Sequence, residues 1–202
     1  LGALRLAVIS MVAARCGARF ASAVCNATAA LHLACRALDL GPGDALWTSP
    51  NTFVASANCA LYCGATVDFV DIDPRTYNMS VTDLEMRLQR AEKAGRLPKI
   101  VVAVHFAGQP CDMAAIGTLA SRYGFAVIED ASHAIGASDG DSSVGSCIHS
   151  DITVFSFHPV KILTTGEGGM LLTNRDDIDA RLRLLRSHGV TRDPALMDEP
   201  AH

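Results

Sequence analysis

Phe125-Ala126-Val127-Ile128-Glu129-Asp130 is an apolar run that closes on two carboxylates, and Ala131-Ser132-His133 follows it directly. After a Gly/Ser/Asp-rich turn the chain rises again through Ile152-Thr153-Val154-Phe155-Ser156-Phe157. This second run stops at His158-Pro159 and delivers Lys161, ahead of Thr164-Thr165-Gly166-Glu167-Gly168-Gly169. Both runs read as buried strands, and each places one ionisable group at its end, first an acid and then an amine. Ligands of open α/β sheets sit beyond the carboxyl ends of the strands, so both groups stand where chemistry is expected.

Working outward, strand and helix patterns alternate. Strands are expected at 18–24, 45–48, 66–71, 99–104 and 125–129, and again at 152–157 and 168–174. Helices are expected at 28–35, with Asn26 as cap and Gly41 as stop, at 52–63 closed by Gly64, from Ser80 to Gly95, at 112–123, and at 176–188. This order predicts an α/β fold with a mostly parallel sheet covered on both faces. The turn ahead of the helix at Thr28 leaves free amides and a positive dipole end, which suit a phosphate; an ordinary capped helix is the other reading. Phe53 stands near the end of the preceding strand, as a core residue or as an aromatic that stacks on a ligand.

Half of the 202 residues are apolar and 19% are charged, which suits one well-buried domain or one and a half small ones. A net charge of −4 with scattered basic residues gives no footprint for nucleic acid or an anionic membrane. Seven cysteines without a Cys-x-x-Cys pair read as reduced, buried thiols of a cytoplasmic protein. The apolar opening segment is interrupted by Arg5 and reads as a packed helix, not a signal peptide. Leu1 in place of Met and the patternless tail from Thr191 lead to the expectation of a piece of a longer chain.

Familiar sites are missing from the sequence: no dinucleotide fingerprint, no P-loop, no nucleophile elbow and no metal-spaced His/Cys cluster. Gly166-Glu167-Gly168-Gly169 precedes a strand and reads as a tight turn. An acid at a strand end, a lysine in a loop and an anion site at a helix start remain. Pyridoxal phosphate needs these three: a carboxylate for the pyridine nitrogen, an amine for the Schiff base, and donors for the phosphate. Phe155 and Phe157 supply the expected apolar neighbourhood that desolvates the amine. From the residues alone a surface Lys161 and a turn-capping Asp130 remain open.

The segments 129–136, 155–161 and 166–169 resemble the pyridoxal-phosphate-dependent nucleotide-sugar aminotransferases of the DegT/DnrJ/EryC/StrS family. Asn26-Ala27-Thr28-Ala29-Ala30-Leu31, Gly41-Pro42-Gly43-Asp44, Thr52-Phe53-Val54-Ala55, 104–110 and Arg186-Ser187-His188-Gly189 agree with it in order and spacing. The resemblance implies the large domain of fold type I, the three-layer, aspartate-aminotransferase-like α/β fold, over residues 1–202. It implies pyridoxal 5'-phosphate as cofactor, with Lys161 as Schiff-base lysine and proton shuttle and Asp130 as partner of the pyridine nitrogen. His133 would contact the phenolic oxygen, Phe53 would stack on the ring, and Ala27, Thr28 and Ser156 would hold the phosphate. Family members often carry Gly at the position of Ala27.

Ser156-Phe157-His158-Pro159-Val160-Lys161 is most similar to the branch that aminates a UDP-4-keto-6-deoxy-N-acetylhexosamine towards pseudaminic acid, the altrosamine transaminase type. The implied reaction is ping-pong transamination, with L-glutamate as amino donor and a nucleotide sugar as acceptor, in a homodimer of the full-length protein. The family's C-terminal small domain has no counterpart in these residues. Two alternatives stand beside this reading: the sugar dehydratases of the same fold, whose histidine replaces the lysine, and an inactive scaffold.

Overall fold

The alternation of strands and helices builds a single seven-stranded sheet. In this computed structural model, which describes residues 2–191, helix α1 spans Gly2–Cys16 and leads into β1 (Phe20–Val24). Then come α2 (Ala27–Ala37), β2 (Ala45–Thr48), α3 (Ala55–Tyr62), β3 (Thr66–Phe69), α4 (Val81–Lys93) and β4 (Ile100–Val104). A 3-10 turn (Phe106–Gly108) precedes α5 (Met113–Tyr123) and β5 (Ala126–Asp130). A hairpin of β6 (Ser138–Asp139) and β7 (Ser142–Ser143) separates β5 from β8 (Ile152–Ser156), which β9 (Gly169–Thr173) and α6 (Asp176–Leu185) follow.

The strands lie in the order β1-β9-β8-β5-β4-β2-β3. β9 runs antiparallel to both of its neighbours, and the other neighbouring pairs are parallel. Side chains alternate across the sheet, so one strand feeds two cores. Ile100, Val102, Ile128 and Ile152 pack with α2, α3 and α6, while Val101, Ala103 and Val127 pack with α4 and α5. A third cluster sets Ala13 and Cys16 of α1 against Phe155, Met170 and Leu172. The architecture is the three-layer, mostly parallel fold expected from the sequence.

Local chemistry explains the boundaries. Asn26 and Ser80 cap α2 and α4 through their side chains, and Gly124 ends α5 at φ +77°. Several expectations need correction. α2 ends at Ala37 with Leu38 as cap, ahead of Gly41: Asp39 turns the chain out at φ +58° and the Leu40 amide donates back to the Cys35 carbonyl at 3.0 Å, while Gly41 donates to Asp44 in the turn towards β2. α3 begins at Ala55, with Thr52 and Phe53 left in the preceding turn. α6 ends at Leu185, three residues short of His188, and strand β3 is shorter than 66–71. The tail beyond Thr191 lies outside the described residues.

All seven cysteines are free thiols, and only Cys25 is exposed. Among the described residues no helix is long and apolar enough to cross a membrane.

Candidate active site

The alternation that divides the core also separates Glu129 from Asp130. Asp130 follows Ile128 onto the α2/α3 face and lines a cavity of about 670 Å³, within the usual range of small-ligand sites. It is only 6% exposed, so its charge requires partners. Ser56 of α3 donates to Oδ2 at 2.6 Å, and Ser132 donates to Oδ1 through its hydroxyl at 2.6 Å and its amide at 3.1 Å. Thr52 joins Ser56 at 2.8 Å and extends the network to the rim.

Lys161 enters the same cavity from the loop after β8. Its Nζ lies 2.5 Å from Nε2 of His133. Partial burial first, and the Lys161 charge second, press the His133 pKa below 6.5, although Asp130 acts in the opposite sense. A neutral imidazole accepting from the amine fits that direction. The expected apolar surround of Lys161 is not there: alternation sends Phe155 and Phe157 into the cluster with α1, and the half-buried lysine sits among exposed residues of its loop.

α2 points its N-terminus into this space. The Asn26 side chain takes the amide of Ala29 at 2.8 Å, and its carbonyl takes that of Ala30. The amides of Ala27 and Thr28 are left without a protein acceptor among the described residues, and both residues line the cavity. Ala27 therefore presents its amide despite its methyl group. Ser156, at the end of β8, lines the same cavity and is 6% exposed. Phe53 lies at the mouth and is 73% exposed, so it belongs to the cavity and not to the core.

The structure thus gathers every singled-out residue into one cavity. Sequence reasoning missed Ser56 and Ser132, which hold Asp130, and also Asn51, Thr52, His105 and Glu167, which line the wall. Only Ser132 had a local signal, two residues beyond the acid. The tight turn expected at Gly166-Glu167-Gly168-Gly169 is instead a bend at Gly166 and Glu167, and the Phe157 amide on the Gly168 carbonyl continues the antiparallel β8–β9 pairing.

The fit to pyridoxal phosphate follows from these atoms. Uncommitted amides at a helix N-terminus suit a phosphate, a buried carboxylate suits a protonated ring nitrogen, and an amine lines the same cavity.

The sequence matches the model of the DegT/DnrJ/EryC1/StrS aminotransferase family over residues 9–199. The chain belongs to this family. GDP-perosamine synthase of Caulobacter vibrioides is 46% identical over 175 residues, covering 87% of this chain and 45% of that protein. A DegT/DnrJ/EryC1/StrS aminotransferase from Brucella abortus superposes with a TM-score of 0.89 at 30% identity, over 98% of this chain and 52% of that one. PseC of Helicobacter pylori, an aminotransferase of pseudaminic acid biosynthesis, gives 0.84 at 29% identity, over 97% and 50%. The chain thus spans about half the length of these relatives.

Pyridoxal phosphate is the cofactor of DegT/DnrJ/EryC1/StrS aminotransferases; NtdA of Bacillus subtilis, 28% identical with a TM-score of 0.79 over 89% of this chain and 39% of that one, holds its amino form, PMP.

Proposed function

We propose that the whole protein transfers an amino group from L-glutamate to the C4 ketone of a nucleotide-linked 4-keto-6-deoxy sugar. The observation that carries this reading is the convergence of Lys161, His133, Asp130 and the free amides of Ala27 and Thr28 on one cavity. Bound pyridoxal phosphate supplies a carbonyl that accepts the amino group and a ring that withdraws electrons from the carbon losing its proton.

The remaining work falls to side chains of this chain. Lys161 Nζ would anchor the cofactor and then take the proton from the substrate carbon that bears the nitrogen and hand it to the former aldehyde carbon of the cofactor, as general base and then general acid. Asp130 holds the proton on the ring nitrogen, and Ser56 and Ser132 fix its two oxygens. His133 accepts from Lys161 and orients the amine. Ala27 and Thr28 amides with the Ser156 hydroxyl bind the phosphate, and Phe53 covers one ring face.

The motif around Lys161 favours a UDP-linked N-acetylhexosamine, whereas the 46% identity to GDP-perosamine synthase favours a GDP-linked hexose. The proposed 4-keto-6-deoxy acceptor is compatible with either nucleotide. Exposed Phe53 and Val160 leave apolar surface around the mouth, which supports a homodimer closing over it. The free thiols suit a cytoplasmic enzyme.

The test adds pyridoxal phosphate to the full-length protein. A visible absorbance band that borohydride traps, and that Lys161→Ala abolishes, is expected. Amination of GDP- and UDP-linked 4-keto-6-deoxy sugars with L-glutamate then fixes the acceptor. A full-length protein that forms no such band overturns the reading.

A further inference from the structure

Glu129 is the buried carboxylate that the chemistry above does not use. It points to the α4/α5 face, is 5% exposed, and accepts from Thr153 at 2.8 Å, from Ser150 and from the ring of His105. The His105 tautomer follows from its other contact. The Cys111 amide donates to Nδ1 at 3.1 Å, so the ring proton lies on Nε2, which donates to Glu129 at 2.8 Å.

His105 in turn governs the chain from 105 to 111. Its own amide donates to the Asp130 carbonyl at 3.1 Å. Asn78 closes the same segment from beyond: its carboxamide oxygen accepts from the Phe106 amide at 2.9 Å, and its nitrogen donates to the carbonyls of Gln109 at 3.0 Å and Pro110 at 2.9 Å. This clasp holds Ala107 at φ +52° and Gly108 at φ +89°. Such a conformation persists only where its surroundings impose it.

The clasped turn presses on the catalytic loop. A β-carbon at Gly108 would lie 2.7 Å from the His133 carbonyl oxygen, so the backbones touch where only glycine fits. The His133 ring meets Lys161. A continuous path of contacts therefore runs from Glu129 through His105 and the 106–108 turn to His133.

We propose that Glu129 and His105 form a buried positioning pair, which holds the 105–111 turn against the His133 backbone and so sets the His133 ring on Lys161. Neither is a catalytic residue in this role. The inference deepens the transaminase reading of the cavity and rests on it for its purpose, but its geometry is independent of the cofactor.

The test follows the His133 ring titration by nuclear magnetic resonance in the full-length protein without cofactor, comparing Glu129→Gln, Gly108→Ala and Ser150→Ala. The carboxamide introduced by Glu129→Gln cannot accept from three donors, so His105 loses its fixed proton position. Gly108→Ala pushes directly on the His133 carbonyl and spares Glu129. In both variants His133 moves off Lys161 and its midpoint rises towards 6.5, while pyridoxal phosphate binds about tenfold more weakly, the scale of one disrupted hydrogen bond.

Ser150→Ala removes a donor to Glu129 on the side away from His105. It lowers thermal stability and leaves the His133 midpoint in place. If Glu129→Gln does not fold, Gly108→Ala alone decides the outcome. A His133 midpoint unchanged in the folded variants, with losses confined to stability, overturns the proposal. A shifted midpoint in a protein that binds no cofactor upholds the geometry and overturns the transaminase reading instead.

Discussion

Gly169 lies against Asn26 so closely that a β-carbon at 169 would fall 2.4 Å from the Asn26 carbonyl carbon and 2.7 Å from the Ala27 nitrogen. The first residue of β9 is thereby packed under the turn whose amides are read as the phosphate donors. Gly169→Ala must move that turn, since the obstructing atoms are backbone. A loss of about 1–3 kcal/mol in stability is expected, as for other overpacked sites. Cofactor affinity falls with it. Chemical denaturation and a pyridoxal phosphate titration of the full-length protein measure the two effects; an affinity that stays unchanged refutes the assignment of the phosphate to this turn.

Asp130→Asn and Ser56→Ala separate charge from positioning. The asparagine removes the charge proposed to keep a ring nitrogen protonated, and its amide opposes a donor from Ser56 or Ser132. Turnover should fall by roughly 100-fold or more, the scale of losing one preorganised electrostatic partner. Ser56→Ala removes a single hydrogen bond and should cost about 1 kcal/mol. Steady-state kinetics on both variants ranks them, and equal losses argue against the role given to the Asp130 charge.

Asp130 is legible in the sequence because an apolar run that closes on a carboxylate marks the end of a buried strand. Its holder Ser56 is not legible. A serine between two alanines looks like any small helix residue, and 74 positions separate it from the acid. The direction of β9 is hidden for a different reason, since an apolar strand buried on both faces has the same composition whichever way it runs. Lys161 shows the limit of local context. Its aromatic neighbours in sequence pack on the far side of the sheet, because alternation is a property of the strand and stops where the loop begins.

Acid sensitivity should trace to Glu129. Burial pushes its pKa up, but the hydrogen bonds from His105, Ser150 and Thr153 outweigh burial and hold it below 4.5. A depressed folded value means that the unfolded chain binds more protons in that window. Stability from this group is complete above the unfolded value and is lost as pH falls through the folded one. Urea unfolding below about pH 4.5 should therefore show a steep loss in the wild type and a shallower one in Glu129→Gln. Parallel slopes for the two proteins count against this account.

Val160, 77% exposed at the rim of the cavity, should lie in the interface of the proposed homodimer. Val160→Asp places a charge in any apolar contact made there, an unpaired burial that interfaces tolerate poorly. Sedimentation of the full-length variant should show a shift from dimer to monomer. A dimer of unaltered strength places the interface elsewhere.

The order of the sheet also governs how this chain is assembled on the ribosome. β1 emerges well before its hydrogen-bonded partner β9, with Phe20 opposite Thr173. At ribosomal speed that partner arrives on the order of ten seconds later. Until then β1 has a bare backbone edge, and α2 behind it has no Gly169 to rest on. A nascent chain released before residue 173 would lack both supports, so the turn at 26–28 settles only after a strand made well over a hundred residues later.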